Sequence, residues 1–271
     1  MFRKLHLAPL MPLLALAACA QPSDDGLRVD ADAGAVDALR SAPDAIAEAE
    51  TARLEMTAEV VGPDGEPFTV SASGAFDRAA EQLSVALEPG GPLELGPMQL
   101  VIDGNDAYVG TSLLRDELTW YSVPADQLQA STGDLFDRTT QDPTSVLEVL
   151  RGVSDDVTTV GSAEVRGEAT THYTATVDVA DALAAAAPES RDALGAQVDD
   201  LFGDSASIPV DVWVADDGLV HRFQVAGEVQ GAEATLTLEL FDHGDDVDIE
   251  VPAPADVHSF GDLFDAWGAE P

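Results

Sequence analysis

Side chains able to do chemistry are sparse in this chain and widely spaced. Cys19 is the one cysteine in 271 residues, so its thiol has no disulfide partner within the chain, and what remains for it is covalent modification at sulfur. Beyond it stand four histidines, His172, His221, His243 and His258, no two at the close spacing of a helical or strand metal pair. They read as isolated structural or surface groups, and no metal or other cofactor is expected. Asp242, Asp245, Asp246 and Asp248 could gather calcium, but a calcium loop needs alternating oxygens, a turn glycine and a distal glutamate in register. That register is absent, which leaves a solvated acidic face. Gly203-Asp204-Ser205 would suit an esterase nucleophile, yet such a serine needs a histidine base oriented by an acid. Asp256 and His258 stand two residues apart, which is not the spacing of that constellation, and Gly203 is better explained as a helix terminator. The expectation is a protein that is not an enzyme.

The elements around Cys19 explain its thiol. Arg3 and Lys4 precede an apolar stretch from Leu5 to Ala18 that is too short to span a bilayer and has the form of a secretory leader. It closes on Leu16-Ala17-Ala18-Cys19, where small residues fit a peptidase cleft and the thiol can take a diacylglycerol before cleavage. This resembles the bacterial lipobox. Residues 1–18 are therefore expected to be a lipoprotein signal peptide. Acylated Cys19, carrying diacylglycerol and a further palmitate-like chain, would hold the protein at the extracytoplasmic face of the cell membrane, since two or more chains anchor durably at about 0.8 kcal/mol per buried CH₂. Residues 19–35, rich in Asp, Ala and Gly, cannot bury enough surface to fold and are expected to be a flexible tether.

The formal net charge is -39, and removing the leader makes it two units more negative, because Arg3 and Lys4 leave without an acid. Lys4 is the only lysine. A field of that sign repels phosphates, so no nucleic-acid partner is expected. The acids are spread in ones and twos, a distribution suited to high salt, where a Debye length of about 3 Å at 1 M removes self-repulsion. The composition thus points to a halophilic source.

After the tether, alternation dominates. Leu54, Met56, Ala58 and Val60 oppose Arg53, Glu55, Thr57 and Glu59, then Gly62-Pro63-Asp64-Gly65 turns the chain and Phe68, Val70, Ala72, Gly74 and Phe76 return it. This is a hairpin with one apolar face. Short strands follow at 83–87, 98–102, 107–110 and 118–123. Pro143 with Val146, Leu147 and Leu150 predicts a short helix with one apolar stripe, ended by Gly152. Strands return at 157–165 and 170–179, helices are predicted at 38–49, 180–187 and 190–202, and strands at 234–241 and 247–251 close the chain. If Asp217-Gly218 is a two-residue turn, Val212 pairs with Phe223, Val210 with Val225 and Val214 with His221. About ten antiparallel strands with a few helices suggest a sheet that curls, its concave apolar face covered by helices: an α+β half-barrel. Its extent is 36–252, followed by a C-terminal tail, 253–271.

This arrangement resembles the actinobacterial LppX/LprG-type lipoproteins, whose fold is similar to that of the carriers LolA and LolB. The resemblance rests on the lipobox, tether and opening helix, on Gly167 through Val179, and above all on the stretch from Ile208 to Phe223. It implies an apolar cavity for the acyl chains of a lipid or glycolipid, a role in lipid transport, and an envelope transport partner. Sheet-face apolar residues Met56, Phe76, Leu87, Leu100, Tyr173, Val177 and Phe223, with the helical stripe Val146, Leu147 and Leu150 as a lid, are the candidate cavity. For any one of them taken alone, filling a dry core is the better reading. Few, short, Ala-rich helices must cover a wide apolar face, and thin coverage favours room for cargo. The competing reading is an envelope sensor of the same fold whose cleft binds a protein partner.

Overall fold

The computed structural model describes residues 33–61, 65–88, 90, 96–112, 117–123, 143–186, 191, 194–195, 206–229, 232–259 and 261–262. The compact unit is Ala31–Pro271. The expected leader, Cys19 and the Gly203-Asp204-Ser205 block lie outside the described residues, as do parts of the predicted helix 190–202.

Helix α1 spans Ala33–Glu48. It begins inside the stretch expected to be tether, because Ala35 and Val36 join Leu39, Ala42, Pro43 and Ile46 in one buried stripe at helical spacing. Strands β1 (Thr51–Val61), β2 (Pro67–Asp77), β3 (Gln82–Glu88), β4 (Met98–Asp103), β5 (Asp106–Thr111) and β6 (Thr119–Val123) follow as an antiparallel meander. A 3₁₀ helix, Ser145–Gly152, stands where the short helix was predicted. Next come β7 (Thr158–Val165), β8 (Glu168–Asp178), helix α2 (Val179–Ala185), β9 (Ser207–Ala215), β10 (Val220–Val229) and β11 (Ala232–Phe241). With a short last strand, β12 (Val257–Ser259), pairing of β11 with β1 joins the two meanders into one curved, open sheet with the order β12-β6-β5-β4-β3-β2-β1-β11-β10-β9-β8-β7. The half-barrel expected from the alternation is the observed architecture.

Two details differ from the sequence reading. The apolar alternation at 247–251 is not a strand: Val247, Ile249 and Val251 pack across the convex face against Ala75, Val101, Tyr108 and Trp120, so the pattern records burial without a hydrogen-bonded ladder. The tail instead supplies β12, Val257–Ser259, parallel to β6 at the sheet edge. The β9–β10 hairpin keeps the predicted pairs Val212↔Phe223 and Val210↔Val225, but a bulge between Val220 and Arg222 pairs Val214 with Val220 rather than His221. A bulge adds one residue to one strand and reorients the side chain beside it; here His221 becomes buried, 6% exposed.

Guanidinium groups pin the helices. Arg78 at the end of β2 donates to the carbonyls of Ile46 (3.0 Å) and Ala49 at the C-terminus of α1 and to Thr144 Oγ1 (2.8 Å). Arg40 donates to Val153 O at 2.9 Å, and Arg151 bridges Asp44 (2.8 Å) and Glu148 (2.7 Å), which ties α1 to the 3₁₀ helix. Arg191 donates to Leu183 O (2.7 Å) and Ala186 O (3.1 Å) past the end of α2. Carbonyls left unpaired at helix ends are thus met by a cation that also complements the helix dipole.

Candidate functional site

Strand registers settle which side chains share the concave face. Met56 lies beside Ala72, Ala72 beside Leu87 and Leu87 beside Met98; on the other side Met56 lies beside Leu238, then Phe223, Val212 and Tyr173. One cross-strand row therefore runs apolar from β4 to β8. The same parity holds for Phe76 opposite Leu83, Leu100 opposite Val85, and Val177 opposite Ile208. All seven strand residues singled out from the sequence fall on one face.

The helices close part of that face. Phe76 (3%), Val177 (0%) and Phe223 (1%) are buried, and with Val146 (8%), Leu147 (0%) and Leu150 (0%) of the 3₁₀ helix they belong to a single core that includes Leu39 and Ile46 of α1. These six of the ten candidates are packed against neighbours in the closed part of the half-barrel. The remaining four differ. Met56 is 38% exposed, Leu87, Leu100 and Tyr173 are half-buried, and so are their face neighbours Val60, Phe68, Val70, Met98, Val109 and Leu236. Tyr173 stands apart on β8, and the others give the outer ends of β1 to β5 and β11 an apolar corner that retains solvent access. Met56 is the exposed member, while Leu100, Tyr173 and Leu236 also touch the core; a contiguous apolar patch left partly open marks an interaction or ligand site.

Away from the apolar patch under residues 247–251, the convex face across β1 and β8 to β11 is chemically opposite. Glu239 accepts from Arg166 (2.6 Å) and Arg222 (2.6 Å), Arg166 also pairs with Glu55, and these guanidiniums lie over Phe241 and Trp213. Burial alone would raise the Glu239 pKa, but hydrogen bonds from both arginines overrule it and hold the carboxyl below its ordinary value. His172 stacks on Trp213 with centroids 4.1 Å apart and contacts Asp211 at 2.7 Å. This polar ladder faces away from the apolar corner. Every described arginine, including Arg53 on Asp242, is held by an acid or a backbone carbonyl.

The structure also gathers residues that the sequence leaves apart. His221 and His243 meet edge to face, centroids 4.9 Å apart, and Nδ1 of the first and Nε2 of the second have no hydrogen-bond partner. Burial lowers the pKa of both, that of His243 to about 4, with the neighbouring His221 adding to the effect. The signal that could have located this pair is a bulge, which alternation alone does not reveal. Among the described residues no group of three or more His, Cys, Asp or Glu could hold a metal ion, and no helix is long and apolar enough to cross a membrane. His258 lies in β12 beside Tyr121, ring centroids 5.8 Å apart.

No protein-family profile matches the sequence. The chain is 28% identical over 264 residues to an uncharacterized 31.2 kDa protein from the rplA–rplJ intergenic region of Streptomyces griseus, covering 88% of this chain and 83% of that one. Its structure is similar to the crystal structure of the Mycobacterium tuberculosis lipoprotein LppX, with a TM-score of 0.50, 17% identity, and coverage of 81% of this chain and 100% of LppX. LprF from Mycobacterium bovis gives a TM-score of 0.48 at 15% identity, covering 81% of this chain and 97% of LprF. The LppX likeness establishes the fold: this chain is an LppX-like half-barrel.

Proposed function

We propose that the protein is a lipid-anchored envelope lipoprotein that holds the acyl chains of a lipid on the open corner of its concave face and carries that lipid at the outer side of the membrane. The observation that supports this reading best is the apolar row that continues from the packed core, through Met56 and Leu87, onto surface still reached by solvent. Hydrocarbon gains about 25 cal/mol for each Å² it removes from water, and such a bed needs few polar guides. Charge narrows the cargo. With every described guanidinium already committed and a net charge of -39, an anionic headgroup finds repulsion where a hydrocarbon chain finds contact. That LppX is a lipoprotein, together with the expected leader and Leu16-Ala17-Ala18-Cys19, supports a membrane location for this chain.

The test has two arms in the same cells. Cys19→Ala should abolish incorporation of labelled fatty acid and release the chain from the membrane fraction, and a variant that stays membrane-bound with label overturns the anchor. Protein lacking residues 1–19 should extract with bound diacyl or triacyl lipid visible by native mass spectrometry and should take up a fluorescent fatty acid. Lipid-free protein that also refuses the fatty acid overturns the carrier, and copurification of a peptide in its place would establish a sensor.

A further inference from the structure

Of the four methionines, Met1 and Met11 precede Cys19, and the other two, Met56 and Met98, both stand on the apolar corner. The ladder Met56↔Ala72, Ala72↔Leu87, Leu87↔Met98 puts them in one row, three strand spacings or about 14 Å apart. Elsewhere this face is built mainly from Val, Leu, Ile, Phe, Tyr and Ala, which are branched, ringed or small. An unbranched thioether adapts to irregular apolar partners, and its sulfur is the atom in such a bed that a mild oxidant converts. Met56 is 38% exposed and Met98 half-buried, so both are open to a small oxidant when no cargo covers them.

We infer that Met56 and Met98 form an oxidation switch in the acyl site, an inference that rests on the lipid-binding reading above. A hydroperoxide transfers one oxygen to each thioether sulfur: its O–O bond breaks, an S–O bond forms, and water or an alcohol leaves. The sulfoxide oxygen is a strong acceptor, and the row neighbours of Met56, Ala72 and Leu238, offer it no donor. It therefore keeps water at the point where hydrocarbon would have to displace it, which weakens cargo binding. A thiol-dependent reductase that returns each sulfoxide to thioether and water would restore the site.

The switch is tested on the chain lacking residues 1–19, whose compact unit, Ala31–Pro271, is intact. Dilute hydrogen peroxide is applied until peptide mass spectrometry finds sulfoxide at both positions, and affinity for a fluorescent fatty acid is then measured. We expect binding to weaken roughly tenfold or more, the scale for leaving a buried polar group unpaired. The Met56→Leu, Met98→Leu double variant, referred to its own untreated affinity, should lose nothing to peroxide. Doubly oxidised protein that binds as tightly as before overturns the inference alone. So does a double variant that loses as much as the parent, or an oxidised chain whose circular dichroism shows a melted sheet. Untreated parent that takes up no fatty acid overturns the acyl site itself, and the switch with it.

Discussion

His221 and His243 show how a single side chain acquires a property from its surroundings. Burial holds both imidazoles neutral, against the attraction of Asp217 for both rings, of Glu168 for His221 and of Asp242 for His243. A group whose folded pKa lies below its unfolded value binds protons better in the unfolded chain, so acid favours unfolding. The histidine contribution to stability is complete above the ordinary value of 6.5 and is lost as pH falls toward about 4 for His243. Thermal melts from pH 7 to pH 4 should therefore show a steady loss in the parent and a flatter curve for His243→Leu over that window. Asp44, held low by its hydrogen bond from Arg151, titrates below it. An unchanged slope in the variant would refute the assignment. Arginine use is the other lesson at this scale. In a chain whose only lysine is Lys4, the five-donor fork of arginine does what an ammonium cannot, meeting several carbonyls or both oxygens of a carboxylate at once.

Among the elements, the 3₁₀ helix Ser145–Gly152 has the most demanding position, wedged between α1, α2 and β8. Its stripe of Val146, Leu147 and Leu150 was legible from spacing, and so was its end at Gly152. Its role was not, because a stripe looks the same whether it lids a cavity or plugs a core. The structure places Leu147 at 0% exposure, so Leu147→Trp should overpack the interior and cost about 1–3 kcal/mol, read as a lowered denaturation midpoint. Gly152 is tighter still. A Cβ there would stand 2.4 Å from Ala182 N and 2.5 Å from Asp178 O, so Gly152→Ala should separate the 3₁₀ helix from α2 at a similar cost. Either variant melting like the parent would contradict the packing. Strand β2 shows the same dependence on glycine, since a Cβ on Gly74 would meet Ser84 O at 2.1 Å, and a glycine inside a strand marks such a close approach.

Over the whole molecule, charge sets the conditions under which the fold is stable. A net charge of -39 repels itself more strongly when compact, so the melting temperature should rise as monovalent salt goes from about 0.01 M to 1 M and the Debye length shrinks from about 30 Å to 3 Å. A flat response would show that this self-repulsion does not limit the stability of the fold. Period-two alternation determined the strands, their apolar face and the curved sheet with helices on it, because one buried face leaves a repeating mark on the sequence. The lone cysteine and the apolar stretch before it carry the proposal of an anchor, which rests on the sequence and not on the fold. Tertiary structure alone decided what depends on distance between segments remote in the chain. The bulge turned His221 toward His243, residues 247–251 were laid across the convex face while β12 joined β6, and the helices covered Phe76, Val177 and Phe223 but left Met56 and Leu87 within reach of solvent. Alternation specifies which face of a strand is apolar; it carries no information on which stretch of that face another element will cover.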